Sequence, residues 1–144
     1  NMAAAIGNEG FYYPPHFIKE FSDGTPIDSS MTTKRIINIK SKHFKDVKTG
    51  MCRVFEGDSG TARFSKIDSI QVAGKTGTAE NPHGDDHSLF IGFAPVDNPQ
   101  IAIAVVVENA GFGSQWAAPI ASLMIEKYLR GYIKNTDREK KFIE

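Results

Sequence analysis

The chain has 144 residues, of which 40% are hydrophobic and 24% charged, which predicts a globular domain rather than a disordered chain. Lys and Arg total 17, as do Asp and Glu, so no basic field favours nucleic acid and no nucleic-acid partner is expected. The single cysteine, Cys52, excludes an intrachain disulfide and a metal site built from several cysteines. The most apolar stretch, 101–107, is too short to span a bilayer.

The first forty residues predict short elements separated by turns. NMAAAIGNEG is alanine-rich and carries two glycines, which predicts the last turns of a helix with a glycine stop. FYYPPHFIKEF is broken by two prolines and predicts an extended segment at a sheet edge. A turn cluster, SDGTPIDSS, leads to KRIINI, which is compatible with a strand. Because the chain starts with Asn in what reads as mid-helix, we expect a piece of a longer protein.

Residues 41–57 give the clearest helical pattern, because their apolar residues recur at spacings of three and four. This stripe comprises Phe44, Val47, Met51, Val54 and Phe55. Ser41 is a candidate N-cap, Gly57 a candidate stop, and Cys52 a small residue of the core. Gly50 lies inside the helix, where glycine costs about 1 kcal/mol relative to alanine. It indicates either close packing or a tolerated defect.

Three strands are predicted next. IQVAGKTGTAE is the first, SLFIGFAPV the second and IAIAVVVEN the third. The turn DNPQ is too short for a helical crossover, so the second and third strands are expected to form an antiparallel hairpin. The third strand is apolar on both faces, at Ala102, Val105 and Val106, which predicts a central or helix-covered position.

The chain closes with a helix and a charged tail. WAAPIASLMIEKYLRGYI predicts a helix with Pro119 in its first turn and Trp116 anchoring it against the sheet. Its predicted apolar face comprises Ile120, Leu123, Met124, Tyr128 and Leu129. Residues 1–134 form one predicted domain, and 135–144 a charged, solvated tail. The order of elements predicts an α+β fold, with an antiparallel sheet flanked by helices.

GKTGTAE, residues 74–80, is the motif that carries chemistry. A phosphate-binding P-loop requires a glycine five residues before Gly74, but that position is Ser69. Proline and glycine also stand where the phosphate-binding helix has to begin. Spacing and context therefore both argue against a nucleotide-binding loop.

The alternative is Lys-Thr-Gly on an edge strand, as in serine β-lactamases and penicillin-binding proteins. Strand alternation places Lys75 and Gly77 on one face and Thr76 and Thr78 on the other. Without a side chain at Gly77, a substrate backbone can approach the strand and pair with its free edge. The hydroxyls and the ammonium can bind a carboxylate, and the backbone N–H after the glycine can face an oxyanion.

Three stretches place this motif in a specific context: GTARFSK, then VAGKTGTAENPHGDDHSLFIGFAPVDNPQIAIAVVVEN, then GFGSQWAAPIASLMIEKYL. Together they resemble the C-terminal part of class B penicillin-binding proteins of the elongation type, the penicillin-binding protein 2 group. The resemblance covers most of the chain. It implies part of a serine β-lactamase/transpeptidase-like fold and a D,D-transpeptidase as the parent protein.

The resemblance also implies roles and partners. Lys75 shapes the proton network, Thr76 and Thr78 contact the carboxylate of substrate or antibiotic beside Gly77, and the Thr78 N–H forms half of the oxyanion hole. The implied ligands are the D-Ala-D-Ala end of a peptidoglycan stem peptide and β-lactam antibiotics, with elongation-complex proteins as partners and no cofactor or metal. The implied location of the parent is the bacterial cytoplasmic membrane, with the catalytic domain facing the periplasm.

Two motifs of that family are missing from these residues. No serine is followed three residues later by lysine, and no Ser-x-Asn occurs. Because covalent catalysis needs a nucleophile with an adjacent base, we expect the chain to be inactive alone. A penicillin-recognising sensor or non-catalytic binding module of the same fold is the alternative, and the sequence upstream of Asn1 separates the two.

Other candidate sites have simpler interpretations. His83, Asp85, Asp86 and His87 favour a solvated hairpin tip over a metal site, because a proline and a glycine indicate a turn. A role for His87 in ordering this loop is compatible with the family resemblance.

Overall fold

The elements follow the predicted order, with two short helices added, in a computed structural model that describes residues 1–143. In chain order they are α1 Met2–Gly7, β1 Phe11–Tyr12, α2 Ser29–Thr32, β2 Arg35–Ile36, α3 Ser41–Glu56, a 3₁₀ turn Arg63–Ser65, β3 Ala73–Ala79, β4 His87–Ala94, β5 Ile101–Val107, α4 Ala117–Arg130 and α5 Thr136–Ile143. The small strands β1 and β2 pair antiparallel beside α1. No helix within residues 1–143 has the length and apolar character needed to cross a bilayer.

The main sheet has the strand order β3-β4-β5, and both pairings are antiparallel. The predicted hairpin of the second and third strands is therefore confirmed, and so is the α+β class. Of the two predicted positions for the third strand, the central one is wrong, because β4 is central and β5 lies at one edge. The helix-covered one is right for the face against which α4 packs. On the other face α1 reaches only one end, so Val106 is 62% exposed although it is apolar.

One face of the sheet, which we call the helix-covered face, carries Thr76, Phe90 and Val105. Phe90 is 1% exposed and packs in the core with Phe55 of α3 and the buried side of α4. That side consists largely of alanine, which lets the helix backbone approach the strands closely: Ala117, Ala118, Ala121 and Ile125.

The predicted apolar face of α4 is right for Leu123, which is buried, and for Leu129, which packs against the core, but it is wrong for Met124 and Tyr128. Met124 and Tyr128 are 53% and 63% exposed, and they line a groove between α4 and α5 instead of contacting the sheet. Pro119 does lie in the first turn of α4, as predicted.

The opposite side of the sheet, which we call the open face, carries Lys75, Gly77, Leu89 and Val106. It is covered only at one end, where Ile6 of α1 and Met51 of α3 pack against Ala73 and Phe93. Gly7 permits this contact, because a Cβ there would lie 3.1 Å from the Phe93 ring. The remaining surface of this face stays apolar and accessible.

The helix α3 packs beside β3, with Phe44, Met51 and Phe55 buried as predicted, whereas Val47 of the predicted stripe is 46% exposed. Its N-cap is Lys40 rather than Ser41, whose hydroxyl donates to the Glu9 carboxylate instead. Gly50 has no neighbouring atom within 4 Å of a Cβ position, so it is a tolerated defect and close packing does not explain it.

The tail is half-buried at Arg138 rather than solvated along its length, which corrects the prediction for residues 135–143; Glu144 lies outside the described residues. Arg138 donates to the carbonyl oxygens of Phe64 at 2.8 Å and of Ser65 at 3.4 Å. Phe142 meets Trp116 edge to face at 5.8 Å, so Trp116 packs against α5 rather than against the sheet. Burial lowers the pKa of the Arg138 guanidinium. The domain boundary at residue 134 stays a prediction.

Candidate active site

The Lys-Thr-Gly-Thr motif lies on β3, and its side chains alternate across the sheet as predicted. Lys75 is exposed on the open face, where Gly77 follows it. Thr76, on the helix-covered face, is 8% exposed, whereas Thr78 at the end of the same face is exposed. The strand therefore separates the ammonium from the two hydroxyls.

The margin of β3 away from β4, which we call the free margin, has no strand partner in residues 1–143, although α3 packs beside β3. In an antiparallel pair, every second residue directs its N–H and C=O away from the partner. The Thr76 carbonyl follows this rule, since it accepts a hydrogen bond of 2.6 Å from Lys75 Nζ. The period of two gives Thr78 the same orientation, so its N–H faces the free margin.

A threonine outside the motif, Thr61, which was not predicted from the sequence, contacts the Thr76 side chain. Thr61 Oγ1 lies 2.7 Å from Thr76 Oγ1. Its segment is pinned to α3, because the Ala62 N–H donates to the Val54 carbonyl at 2.9 Å. Gly60 is required there, since a Cβ would lie 2.7 Å from the Arg53 carbonyl oxygen.

Beside this pair, Lys75 borders a cleft of about 360 Å³ between β3 and the C-terminal half of α3. Thr61 and Arg53 line the same cleft. Lys75 and Arg53 thus place two cationic residues at the border of a mostly apolar cleft. Arg53 was also missed, because an arginine on a helix carries no motif of its own.

The loop before α4 lies directly on the backbone of β3 and β4. A Cβ at Gly113 would collide with the carbonyl oxygens of Gly77 and Leu89, so only glycine fits. Ser88 fixes this loop from below: its hydroxyl donates to the Phe112 carbonyl and accepts from the Ala117 N–H, both at 3.0 Å. The loop therefore packs against β3 at Gly77 and against β4 at Leu89.

The hairpin tip between β3 and β4 is tied to the end of β5. Asn81 donates to the Asn109 side chain at 2.7 Å, and the Asn109 N–H donates to His87 Nδ1 at 3.0 Å. His87 thus contributes to the order of this loop. Within residues 1–143, His83, Asp85 and Asp86 join no cluster of three or more ligating side chains.

Comparison with known proteins identifies the family. Residues 1–126 match the penicillin binding protein transpeptidase domain. The chain belongs to this family. The peptidoglycan D,D-transpeptidases MrdA of Haemophilus influenzae and Acinetobacter baumannii are 31% and 33% identical to it over 91% and 95% of its length. It covers 23% of each of them, so it spans about a quarter of the length of these curated relatives.

Solved transpeptidase-family structures show the same fold. PBP2 of Pseudomonas aeruginosa, in complex with WCK 5153, is 35% identical with a TM-score of 0.76, over 94% of this chain and 30% of that one. The imipenem acyl-enzyme of penicillin-binding protein A from Mycobacterium tuberculosis is 29% identical with a TM-score of 0.71, over 90% of this chain and 29% of that one. The predicted resemblance to the penicillin-binding protein 2 group is confirmed.

Proposed function

We propose that the chain is the C-terminal part of a peptidoglycan D,D-transpeptidase and supplies its Lys-Thr-Gly-Thr strand. The observation that carries this proposal is the free margin of β3 with Lys75 beside it, in a chain matched to the transpeptidase family over residues 1–126. The substrate is the D-Ala-D-Ala end of a stem peptide, which adds to β3 as an extended strand. β-Lactams occupy the same position.

In the proposed reaction, a serine supplied by the rest of the protein attacks the carbonyl carbon of the penultimate D-Ala. The carbonyl oxygen becomes negative, and the N–H of Thr78 stabilises it because it already points to the free margin. The bond to the terminal D-Ala nitrogen then breaks, and D-Ala leaves with the proton taken from the serine. An amine from a neighbouring stem peptide attacks the acyl-serine ester, which forms the cross-link and restores the serine.

Each motif residue has its own task in this proposal. The ammonium of Lys75 stays on the open face and holds the proton network of the nucleophile at the right charge. The hydroxyls of Thr76 and Thr78 bind the C-terminal carboxylate of the peptide. Gly77 keeps the surface between them flat enough for a peptide backbone.

The parent protein in this proposal is anchored in the bacterial cytoplasmic membrane, faces the periplasm and works with proteins of the elongation complex. The two MrdA relatives are named peptidoglycan D,D-transpeptidases, which supports the proposed reaction of the parent. The chain alone is expected to be inactive, because no serine in it has a lysine three residues later.

The test is acylation by a fluorescent penicillin, measured on the complete protein that contains this chain and on the 144-residue chain alone. We expect label on the complete protein only. Lys75→Gln should lower its acylation rate at least about a hundredfold, the usual scale for a group in proton transfer. Lys140→Gln, at an exposed position of α5, is the matched control and should leave the rate unchanged.

Turnover separates the enzyme from the sensor. A transpeptidase releases D-Ala from a stem peptide and joins the peptide to an added amine, and mass spectrometry detects both products. Acylation by penicillin without either product would favour the sensor, and an unlabelled complete protein would refute both functions.

A further inference from the structure

We propose that Thr61 is a positioning residue of the site: its hydroxyl fixes the direction of the Thr76 hydroxyl, and thereby the strength of carboxylate binding. This inference rests on the proposed function of β3. It adds a residue from outside the Lys-Thr-Gly-Thr motif, contributed by the segment between α3 and the 3₁₀ turn.

The distance between the two hydroxyl oxygens carries the first step. At 2.7 Å, Thr61 Oγ1 and Thr76 Oγ1 lie at the usual separation of an O–H···O hydrogen bond. Thr76 is 8% exposed, and at such a position a hydroxyl partner matters more than at the surface. Each threonine hydroxyl has one proton and two lone pairs, so either group can donate in this bond.

The chemistry of the ligand decides the direction of that bond. A carboxylate only accepts hydrogen bonds, so the Thr76 proton has to point at it. Thr76 then needs a donor for its own lone pair, and Thr61 is placed to be that donor. The result is a chain of hydrogen bonds from Thr61 to Thr76 to the carboxylate, in which each bond polarises the next.

Thr61 is held rigidly enough for this task. The next residue, Ala62, is 1% exposed and bonded to the Val54 carbonyl, and the preceding Gly60 has no room for a side chain. A side chain on such a segment is more precise than one on a mobile loop. Because Thr61 itself is exposed, removing its hydroxyl leaves the core of the fold intact.

The variants are Thr61→Val, which keeps the shape and loses the hydroxyl, and Thr61→Ser, which keeps the hydroxyl. Thr49→Val is the matched control, because Thr49 is exposed on α3 and donates only to the Lys45 carbonyl of its own helix. In the complete protein, we expect Thr61→Val to slow acylation by fluorescent penicillin about three- to tenfold, the scale of one lost hydrogen bond. Thr61→Ser should stay within about twofold of the wild type on that scale, and Thr49→Val should be unchanged.

A second readout does not depend on catalysis. In the same proteins, the methyl NMR signal of Thr76 should report one side-chain rotamer in the wild type and in Thr61→Ser, and averaging in Thr61→Val. Unchanged acylation together with an unchanged Thr76 signal in Thr61→Val overturns the inference. So does equal loss in Thr61→Val and Thr61→Ser, which points to packing rather than to the hydroxyl. A wild-type protein that penicillin does not label refutes the proposed function instead, and the NMR comparison still decides the role of Thr61.

Discussion

The helices of this chain cover the two faces of the main sheet to very different extents. On the helix-covered face, α3 and α4 bury Phe90 almost completely, and the loop at Gly113 closes over the strand backbone. On the open face, α1 covers only one end, and Val106 is 62% exposed on β5, which the central strand β4 separates from the strand that carries Lys75. The same three strands thus have a core on one side and an accessible apolar surface on the other.

This difference shows which parts of the site are already in place. The hydroxyl side has its partners, because Thr76 is bonded to Thr61 and the loop at Gly113 lies against Gly77. On the ammonium side, Lys75 bonds only the carbonyl of the adjacent Thr76 in the described residues. In the proposed function, carboxylate recognition therefore depends on residues of this chain, whereas the proton chemistry needs groups from elsewhere.

The largest expected effect on stability comes from truncating one aromatic side chain on the helix-covered face. Phe90→Ala removes a ring that is 1% exposed and packs edge to face on Phe55. We expect a loss of about 3–5 kcal/mol in the free energy of unfolding. Val106→Ala, on the open face, should change it by less than about 0.5 kcal/mol. Urea unfolding of both variants measures the contrast, and equal losses would show that the open face is covered in solution.

The second comparison uses two glycines. Gly113→Ala drives a methyl group into the carbonyl oxygens of Gly77 and Leu89, and we expect it to destabilise the fold by about 1–3 kcal/mol. Gly50→Ala meets no atom within 4 Å in the middle of α3 and should stabilise the fold by about 0.5–1 kcal/mol. Thermal unfolding of both variants measures whether each substitution lowers or raises the stability of the fold. A harmless Gly113→Ala would mean that the loop does not rest on the strand.

The third prediction concerns α5, which packs against α4 and binds the 3₁₀ turn through Arg138. Arg138→Ala removes the hydrogen bonds to the Phe64 and Ser65 carbonyls, and we expect a loss of about 1–2 kcal/mol. Lys140→Ala, at an exposed position of the same helix, should stay within about 0.5 kcal/mol. If hydrogen exchange in α5 is equally fast in both variants and in the wild type, the helix is not docked through Arg138.

The smallest effect lies where α1 covers the open face. Lys48 Nζ donates to Glu9 at 3.1 Å, and this bond lowers the pKa of the Glu9 carboxyl. A lowered pKa stabilises the fold above the usual carboxyl value of about 4.3, and the contribution disappears as the pH falls through the lower folded value. Because the pair is partly exposed, the contribution should be under about 1 kcal/mol.

The measurement for this pair is the free energy of unfolding of Glu9→Gln against the wild type, from pH 6 to pH 3. We expect the difference to shrink as the pH falls, and Glu20→Gln, at an exposed position, to show no such trend. A difference that grows toward acid contradicts the assignment.

Sequence reasoning predicted the parts that local pattern determines. The amphipathic stripe of α3, the three strands and the alternation of Lys75 with Thr76 all follow from periodicity, and the structure has them. The buried side of α4 was wrong in part, because alanines contact the sheet and the larger Met124 faces α5. Hydrophobicity ranks side chains by size, whereas close packing of a helix on a sheet favours small ones.

The unpredicted parts of the site depend on contacts between distant residues. Thr61 and Gly113 reach β3 from segments 15 and 36 residues away from Thr76 and Gly77, and neither carries a motif that names its partner. The docking of the tail through Arg138 also depends on a distant contact. A charged segment is predicted to be solvated, because the sequence does not show that Arg138 binds the Phe64 carbonyl. Periodicity carries no information about such pairs.

The contact of Gly113 with the strand at Gly77 has a consequence for how this region is assembled. The motif ends at residue 78, but the loop at Gly113 that packs on it follows two further strands in the sequence. During synthesis, we therefore expect this part of β3 to acquire its final packing last, when α4 folds onto the sheet. A polypeptide that ends between Gly77 and Gly113 contains the whole Lys-Thr-Gly-Thr motif but lacks the loop that packs on its backbone.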